Sequence, residues 1–316
     1  MNGIYDINGS AFIEGFYTPE MYGAKGNGTD DDTSAIQSAL NNSGLVLFSP
    51  GKTYKTTDVL RVYANTVIDL NGSTIICTWK HMFFNFLGNS AFTGYNGNGN
   101  ITIRNGTLIG GATSFAHAEN VLLENVSLKD LLNDHFLEIC ACKNYRINHC
   151  SFIGMQYLTA SVMEYINIDP CFRSAFPWLD DASSAFYDGT VNDGIYIDGC
   201  RFSLGLSDYA YGYNAIGVHS SDGSAHKNIS VTRNEISGYT GCGIRLNNMQ
   251  GVLVDGNAIS TVGDGIVIGD VKACSDLIIK NNYVYSSNGA KLVRTSGRYT
   301  NLTVANNVTQ GDAQNF

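Results

Sequence analysis

Residues 251–309 read GVLVDGNAISTVGDGIVIGDVKACSDLIIKNNYVYSSNGAKLVRTSGRYTNLTVANNVT, and one nine-residue phrase occurs in them three times, at Gly251–Ile259, Asp276–Val284 and Asn301–Thr309. The phrase is a polar residue or glycine, then apolar, any, apolar, any, two polar or small residues, any, apolar. Toward the N-terminus it recurs at Asn228–Ile236, Gly194–Phe202, Asn144–Phe152, Asn120–Leu128 and Asn100–Leu108. From the first copy to the last, the starts are separated by 20, 24, 50, 34, 23, 25 and 25 residues. Period-2 alternation inside a repeat of 20–25 residues is the pattern of a solenoid of short strands.

The seventh position of the phrase reads Gly106, Val126, Cys150, Cys200, Asn234, Asn257, Asn282, Asn307. Equal positions on stacked rungs sit about 4.8 Å apart, so the four asparagines are expected to form a hydrogen-bonded ladder. A second strand set lies between the copies, at 136–140, 165–169, 215–219, 243–247 and 265–269, with a weaker member at 291–295. Several short parallel strands per turn, without helices between them, predict an all-β chain. It is a single-stranded right-handed parallel β-helix of about eight or more rungs. A TIM barrel or Rossmann sheet would need amphipathic helices between strands. The one helical pattern is short, Thr33–Leu40. It is preceded by Asp30, Asp31 and Asp32 as capping residues and suits the open end of the stack. The expected division is therefore residues 1–60 as lead-in and capping helix, and 61–316 as β-helix with a loop inserted at about 170–192.

Composition agrees. The chain of 316 residues has 15% charged residues, 44% apolar residues, 35 glycines and 33 asparagines, which is neither disordered nor, lacking any 18-residue apolar run, membrane-spanning by helix. The net charge of −9 argues against nucleic acid as a partner. The eight cysteines include no CxxC pair, so free buried thiols are expected rather than zinc or a disulfide framework. The first ten residues carry no secretion signal. The expectation is synthesis in the cytosol followed by export without a Sec signal, or a trimmed N-terminus.

The stretches 22–40 (YGAKGNGTDDDTSAIQSAL) and 48–54 (FSPGKTY) resemble the opening signature of the pectate-lyase-like right-handed β-helix superfamily. Residues 18–26 (TPEMYGAKG) look most like its phage and prophage tail-spike members. Residues 135–152, 164–169 and 187–190 are similar to a Gram-positive phage and bacterial subgroup. The resemblance implies carbohydrate-active or carbohydrate-binding function, on a virion tail or outside the cell, often as a homotrimer. Polygalacturonase-like relatives carry Asn-x-Asp, Asp-Asp, Gly-His-Gly and Arg-x-Lys on successive rungs. Here Asn167-Ile168-Asp169 matches the first, and Arg245-Leu246-Asn247 matches the last with Asn for Lys. His219 lies in Val-His-Ser, and the nearest Asp-Asp is Asp180-Asp181 in the insertion.

Aligning the second strand set places Glu138, Asn167, Gly217, Arg245 and Val267 in one outward column. Cys140, Asp169, His219, Asn247 and Gly269 form the next, with His135, Glu164, Asn214, Cys242 and Asp264 just before the strands. Carboxylates, His and Arg thus fall on a few middle rungs of one exposed face, which is what a glycan-cleaving groove needs. Glu138 and Asp169 would lie roughly 8 Å apart on the diagonal, within the separation of about 6.5–9.5 Å used by inverting glycosidases. Glu138, beside Phe136 and Leu137, is the expected acid and Asp169 the base, and Glu164 can replace either if the register slips by one. His135, Asn167, His219 and Arg245 are expected to bind substrate. Trp178 and Arg173 in the insertion, and Tyr213 in a later tyrosine-rich stretch, join them, since aromatic rings stack on sugar faces. The aromatics can equally pack the loop onto the helix body. The expected function is a polysaccharide-cleaving glycoside hydrolase without cofactor. A polysaccharide lyase, assisted by calcium through Asp and Glu, and a non-catalytic glycan-binding spike are the alternatives. The last rung, Asn301–Thr309, carries no capping helix, so a longer chain or a partner subunit is expected beyond it.

Overall fold

The structure is a computed structural model. It describes residues 4–5, 11–12, 15–86, 92–131, 134–155, 164–179, 182–204, 214–218, 222–239, 241–261, 263–269, 271–286, 289–311 and 313. The nine-residue phrases stack in parallel and in the register that their spacing predicts. Ile101, Val121, Tyr145, Ile195, Ile229, Val252, Leu277 and Leu302 pair one to the next along the axis. All but the last are buried. The second strand set forms a nine-stranded parallel sheet. Its members are β1 (Leu60–Arg61), β2 (His81–Phe84), β3 (Ala112–Ala116), β4 (Leu137–Cys140), β5 (Glu164–Asp169), β6 (Asn214–Gly217), β7 (Cys242–Leu246), β8 (Asp264–Ile268) and β9 (Val293–Thr295). The chain is a right-handed parallel β-helix whose single core runs between these sheets.

The stack begins earlier than the boundary expected at residue 61. Gly44–Leu47 already pairs with Thr66–Asp69, and Thr53–Thr56 with Thr74–Cys77. Val46 and Tyr54 supply buried rung positions there. Helix α1 (Thr33–Leu40) buries Ala35, Ile36, Ala39 and Leu40. Its acidic lead-in works differently from a simple cap. Asp32 occupies the N-cap but makes no capping bond. Instead it accepts the amides of Lys25 (2.6 Å) and Gly26 (3.1 Å), while Asp31 accepts the Thr33 amide at 3.0 Å.

The asparagine excess belongs to the corners of the rungs. Asn100, Asn120, Asn144, Gly194, Asn228, Gly251, Asp276 and Asn301 start the eight phrases, and all have φ between 52° and 80°. Five residues on, Asn105, Asn125, His149, Gly199, Arg233, Gly256, Asn281 and Asn306 repeat the left-handed conformation. Asparagine and glycine tolerate that region best. The buried ladder also forms. Asn234, Asn257 and Asn282 each donate to the side-chain oxygen of the next asparagine at 2.9 Å. Cys200 and Cys150 continue the column toward the N-terminus. All eight cysteines are buried and free.

Candidate functional site

The nine-stranded sheet carries one continuous outward column: Arg61, Phe84, Ser114, Glu138, Asn167, Gly217, Arg245, Val267, Arg294. Asp169 pairs with Cys140 one step along, and Glu164, Asn214, Cys242 and Asp264 pair at the strand starts. The register drawn from sequence is the register observed. The solvation is not. Glu138, Asn167, Asp169 and Glu164 are only 6%, 1%, 3% and 0% exposed. The face was expected to lie open to water. The insertion packs onto the rungs below, and Asn167 and Asn214 bond to the carboxylates of Glu138 and Glu164.

Glu138 lies at the centre. Asn167 on the next rung donates through Nδ2 to both carboxyl oxygens, at 3.1 and 3.0 Å. The Cys140 thiol donates to Oε1 at 3.4 Å, and His135 Nε2 stands 3.9 Å from Oε2. Burial pushes the Glu138 carboxyl well above the usual carboxylate range. The charge of Asp169 adds to the rise, and the Asn167 bonds oppose it. A carboxyl of raised pKa beside a second carboxyl is an acid–base arrangement.

His135 is held from behind. Its Nδ1 lies 2.6 Å from the Glu164 carbonyl oxygen. A carbonyl only accepts, so Nδ1 carries the proton and Nε2 faces Glu138. Glu164 itself is wholly buried. Its Oε1 accepts Asn214 Nδ2 at 3.1 Å and lies 3.8 Å from Arg245 Nη1. Its Oε2 has no hydrogen-bond partner among the described residues. Arg245 also donates to the Val218 carbonyl at 3.1 Å. The structure thus brings together His135, Glu138, Glu164, Asn167, Asp169 and Arg245. Two expected residues, His219 and Tyr213, lie outside the described residues, as does the pair Asp180-Asp181.

The insertion leaves from the end of β5 and lies back over the lower rungs. Phe176 and Phe186 are buried with Phe84, Phe86, Ala116 and Cys140. Trp178 stacks on Phe84 (ring centroids 4.6 Å apart, 16° between planes) and lies 4.4 Å from the His81 ring. These aromatics therefore anchor the loop, and one face of Trp178 is already occupied. Arg173, expected to meet substrate, donates to the Leu179 carbonyl at 2.8 Å and lies over the Tyr187 ring, so it braces the loop from within.

Two residues that hold this arrangement were not singled out from sequence. Asn192, wholly buried, accepts the Cys142 amide at 2.7 Å and donates to the carbonyls of Ile139 and Asp169 at 3.0 and 2.9 Å. It ties the end of the insertion to both site strands. His117, at a left-handed corner with φ 56°, contacts the carbonyls of Gly94 and Phe186 at 2.7 and 2.8 Å. A lone polar residue at the edge of an inserted loop was the available signal for the first. Nothing in the local pattern marks the second. Among the described residues no group of three or more His, Cys, Asp and Glu is placed to hold a metal ion.

Comparison with known proteins agrees with the architecture. The chain is 27% identical over 282 residues to plasmin and fibronectin-binding protein A of Streptococcus pneumoniae, spanning 75% of this chain and 38% of that protein. It is 49% identical over 47 residues to a capsule K30/K69-specific depolymerase of Klebsiella phage K64-1, 14% of this chain and 6% of that one. The crystal structure of the S. pneumoniae surface adhesin PfbA superposes with TM-score 0.80 at 21% identity, covering 95% of this chain and 81% of that one. The tailspike protein of E. coli bacteriophage HK620, solved with a hexasaccharide, superposes with TM-score 0.56 at 13% identity, over 96% of this chain and 55% of that one. Residues 180–315 match the model of the right-handed beta helix region, and this match agrees with the stacking described above.

Proposed function

We propose that the protein cleaves a polysaccharide by hydrolysis, with Glu138 as general acid and Asp169 as general base. The observation that carries this reading is the placing of two buried carboxyls, Glu138 and Asp169, on neighbouring rungs of one sheet face, where burial and the nearby charge of Asp169 raise the pKa of Glu138. In this mechanism Glu138 gives its proton to the leaving glycosidic oxygen. Asp169 takes a proton from a water whose oxygen bonds to the anomeric carbon as the glycosidic bond breaks. Asn167 grips both Glu138 oxygens and orients the acid. His135 and Glu164 support it, and Arg245 with Asn214 contacts sugar hydroxyls. No cofactor is required. The similarity to a phage depolymerase and to a tailspike solved with a hexasaccharide supports a glycan substrate at a virion tail or cell surface. Digestion of a broad polysaccharide panel, read by new reducing ends, tests the reading. Glu138→Gln and Asp169→Asn should each lower turnover at least about 100-fold. If both variants stay fully active, the assignment is wrong.

A second reading, glycan or protein binding without cleavage, is favoured by the superposition on PfbA over 95% of this chain. It predicts no product from any glycan and unchanged binding by both variants. A homotrimer, implied by the tail-spike resemblance, is checked by light scattering.

A further inference from the structure

We infer that this sheet face selects an uncharged glycan, and that Glu164 sets this preference by cancelling Arg245; the inference rests on reading the face as the glycan site. All 19 Lys and Arg residues of the chain lie among the described residues, so the cations that reach this face can be followed individually. Three stand in the outward column. Arg61 is spent on the Phe86 carbonyl (3.0 Å) and the Phe84 ring (5.3 Å). Arg294 pairs with Asp264. Arg245 is shared between the Val218 carbonyl and Glu164. Beside the sheet, Lys80 pairs with Asp134 at 3.3 Å and Lys272 caps the Gly223 carbonyl.

The Arg245 pairing is built into the backbone. Glu164 starts β5 and Arg245 lies on β7, so β6 stands between them. The β6 residue in the column is Gly217. A Cβ there would come within 2.8 Å of Glu164 Cγ and 3.3 Å of Arg245 Cβ. The missing side chain is the passage through which the carboxylate reaches the guanidinium. A buried carboxylate left without a counter-charge is strongly disfavoured, so Arg245 is bound to this task before any substrate arrives.

A uronate or sialate approaching this face would meet the Asp169 carboxylate, with the Arg245 charge already compensated by Glu164. Like charges at a partly desolvated face repel. A neutral sugar meets none of that. Asn167, Asn214 and the Arg245–Glu164 pair instead offer the mixed donors and acceptors that hydroxyls take. The same arrangement lacks the free cation a lyase needs beside a uronate.

The test uses the full chain carrying Glu138→Gln, so that bound glycan is not consumed, on an array of uncharged oligosaccharides matched to uronate- or sialate-bearing counterparts. Uncharged members should bind at least tenfold tighter. Glu164→Gln in the same background should shrink that ratio about tenfold by releasing Arg245. Should Glu164→Gln fold poorly by its melting curve, the pair Glu164→Gln/Arg245→Met removes both charges together and should keep the neutral preference. Equal or tighter binding of acidic members with Glu164 intact overturns the inference, as does an array with no binding at all. Wild-type digestion separates the two readings. Reducing ends from acidic glycans alone would keep hydrolysis and sink the charge preference. Neutral binding without reducing ends would do the reverse.

Discussion

Asn257→Ala should cost far more than a surface substitution, because the ladder leaves water no access. In the native chain Asn257 Nδ2 donates to the Val231 carbonyl and to Asn282 Oδ1, both at 2.9 Å. Its Oδ1 accepts the Asn234 amide at 3.0 Å and Asn234 Nδ2 at 2.9 Å. Alanine removes these four hydrogen bonds and a longer one from Nδ2 to the Asp255 carbonyl at 3.4 Å. Asn282 Oδ1 keeps the Asn257 amide at 3.0 Å, and Asn234 Nδ2 keeps the Ile197 carbonyl at 3.0 Å. The Asn234 amide and the Val231 carbonyl lose these bonds inside the core. At about 1–3 kcal/mol for each buried group left unpaired, the change costs about 2–6 kcal/mol before the lost packing is added. Asn307→Ala, at the half-buried end of the same column, should cost about 1 kcal/mol. Urea unfolding of both variants followed by circular dichroism measures the difference. If Asn257→Ala loses less than about 1 kcal/mol, or no more than Asn307→Ala, the ladder is not a stabilising element and this account of the asparagines fails.

Glu138→Gln should stabilise the fold at neutral pH and leave it unchanged near pH 4. A carboxyl whose folded-state pKa is raised above 4.5 favours the fold below that value and opposes it as pH rises toward the folded-state pKa; melting temperatures of both proteins at pH 4 and pH 8 check this. His226 runs the other way. Burial lowers its pKa from 6.5 to about 3, so its contribution is complete above pH 6.5 and is lost as pH falls. His226→Gln should therefore flatten stability against pH by about 1.4 kcal/mol per unit between pH 6 and 4, read by denaturant midpoints. Trp178→Ala should remove the stacking on Phe84 and His81, cost about 1–2 kcal/mol, and expose the insertion to limited proteolysis while the rungs stay resistant.

Much of the fold was legible because a rung repeats every 20–25 residues and strands alternate every second residue. The pairing of Ile101 with Val121 and onward to Leu302 follows from that spacing alone. The column from Glu138 to Arg245 was legible for the same reason. Its burial was not. The 170–192 segment carries no repeat, so its aromatics gave no sign of whether they face substrate or Phe84 and Phe86, and the packed cluster settles that only in three dimensions. Asp31 and Asp32 share the acidic character of a helix start, yet divide the work between α1 and the preceding turn. Composition cannot separate those roles. The stack begins before residue 61 because Val46 and Tyr54 occupy rung positions in strands too short to show the full phrase.

The in-register stacking has a consequence for how this site can change. Glu138, Glu164, Asn214 and Arg245 come from four successive turns of the helix, each joined to its neighbours by parallel pairing alone. Distance along the face is therefore counted in whole rungs of about 4.8 Å. Duplicating one rung between β4 and β5 would part Glu138 from Asp169 by that increment while leaving every other contact pattern in the column intact. Removing the β6 rung would set Asn167 directly beneath Arg245 and Glu164 beneath Cys242. Chemistry on such a scaffold is adjusted like a ruler, in fixed graduations, by gain or loss of a turn as well as by exchange of a side chain.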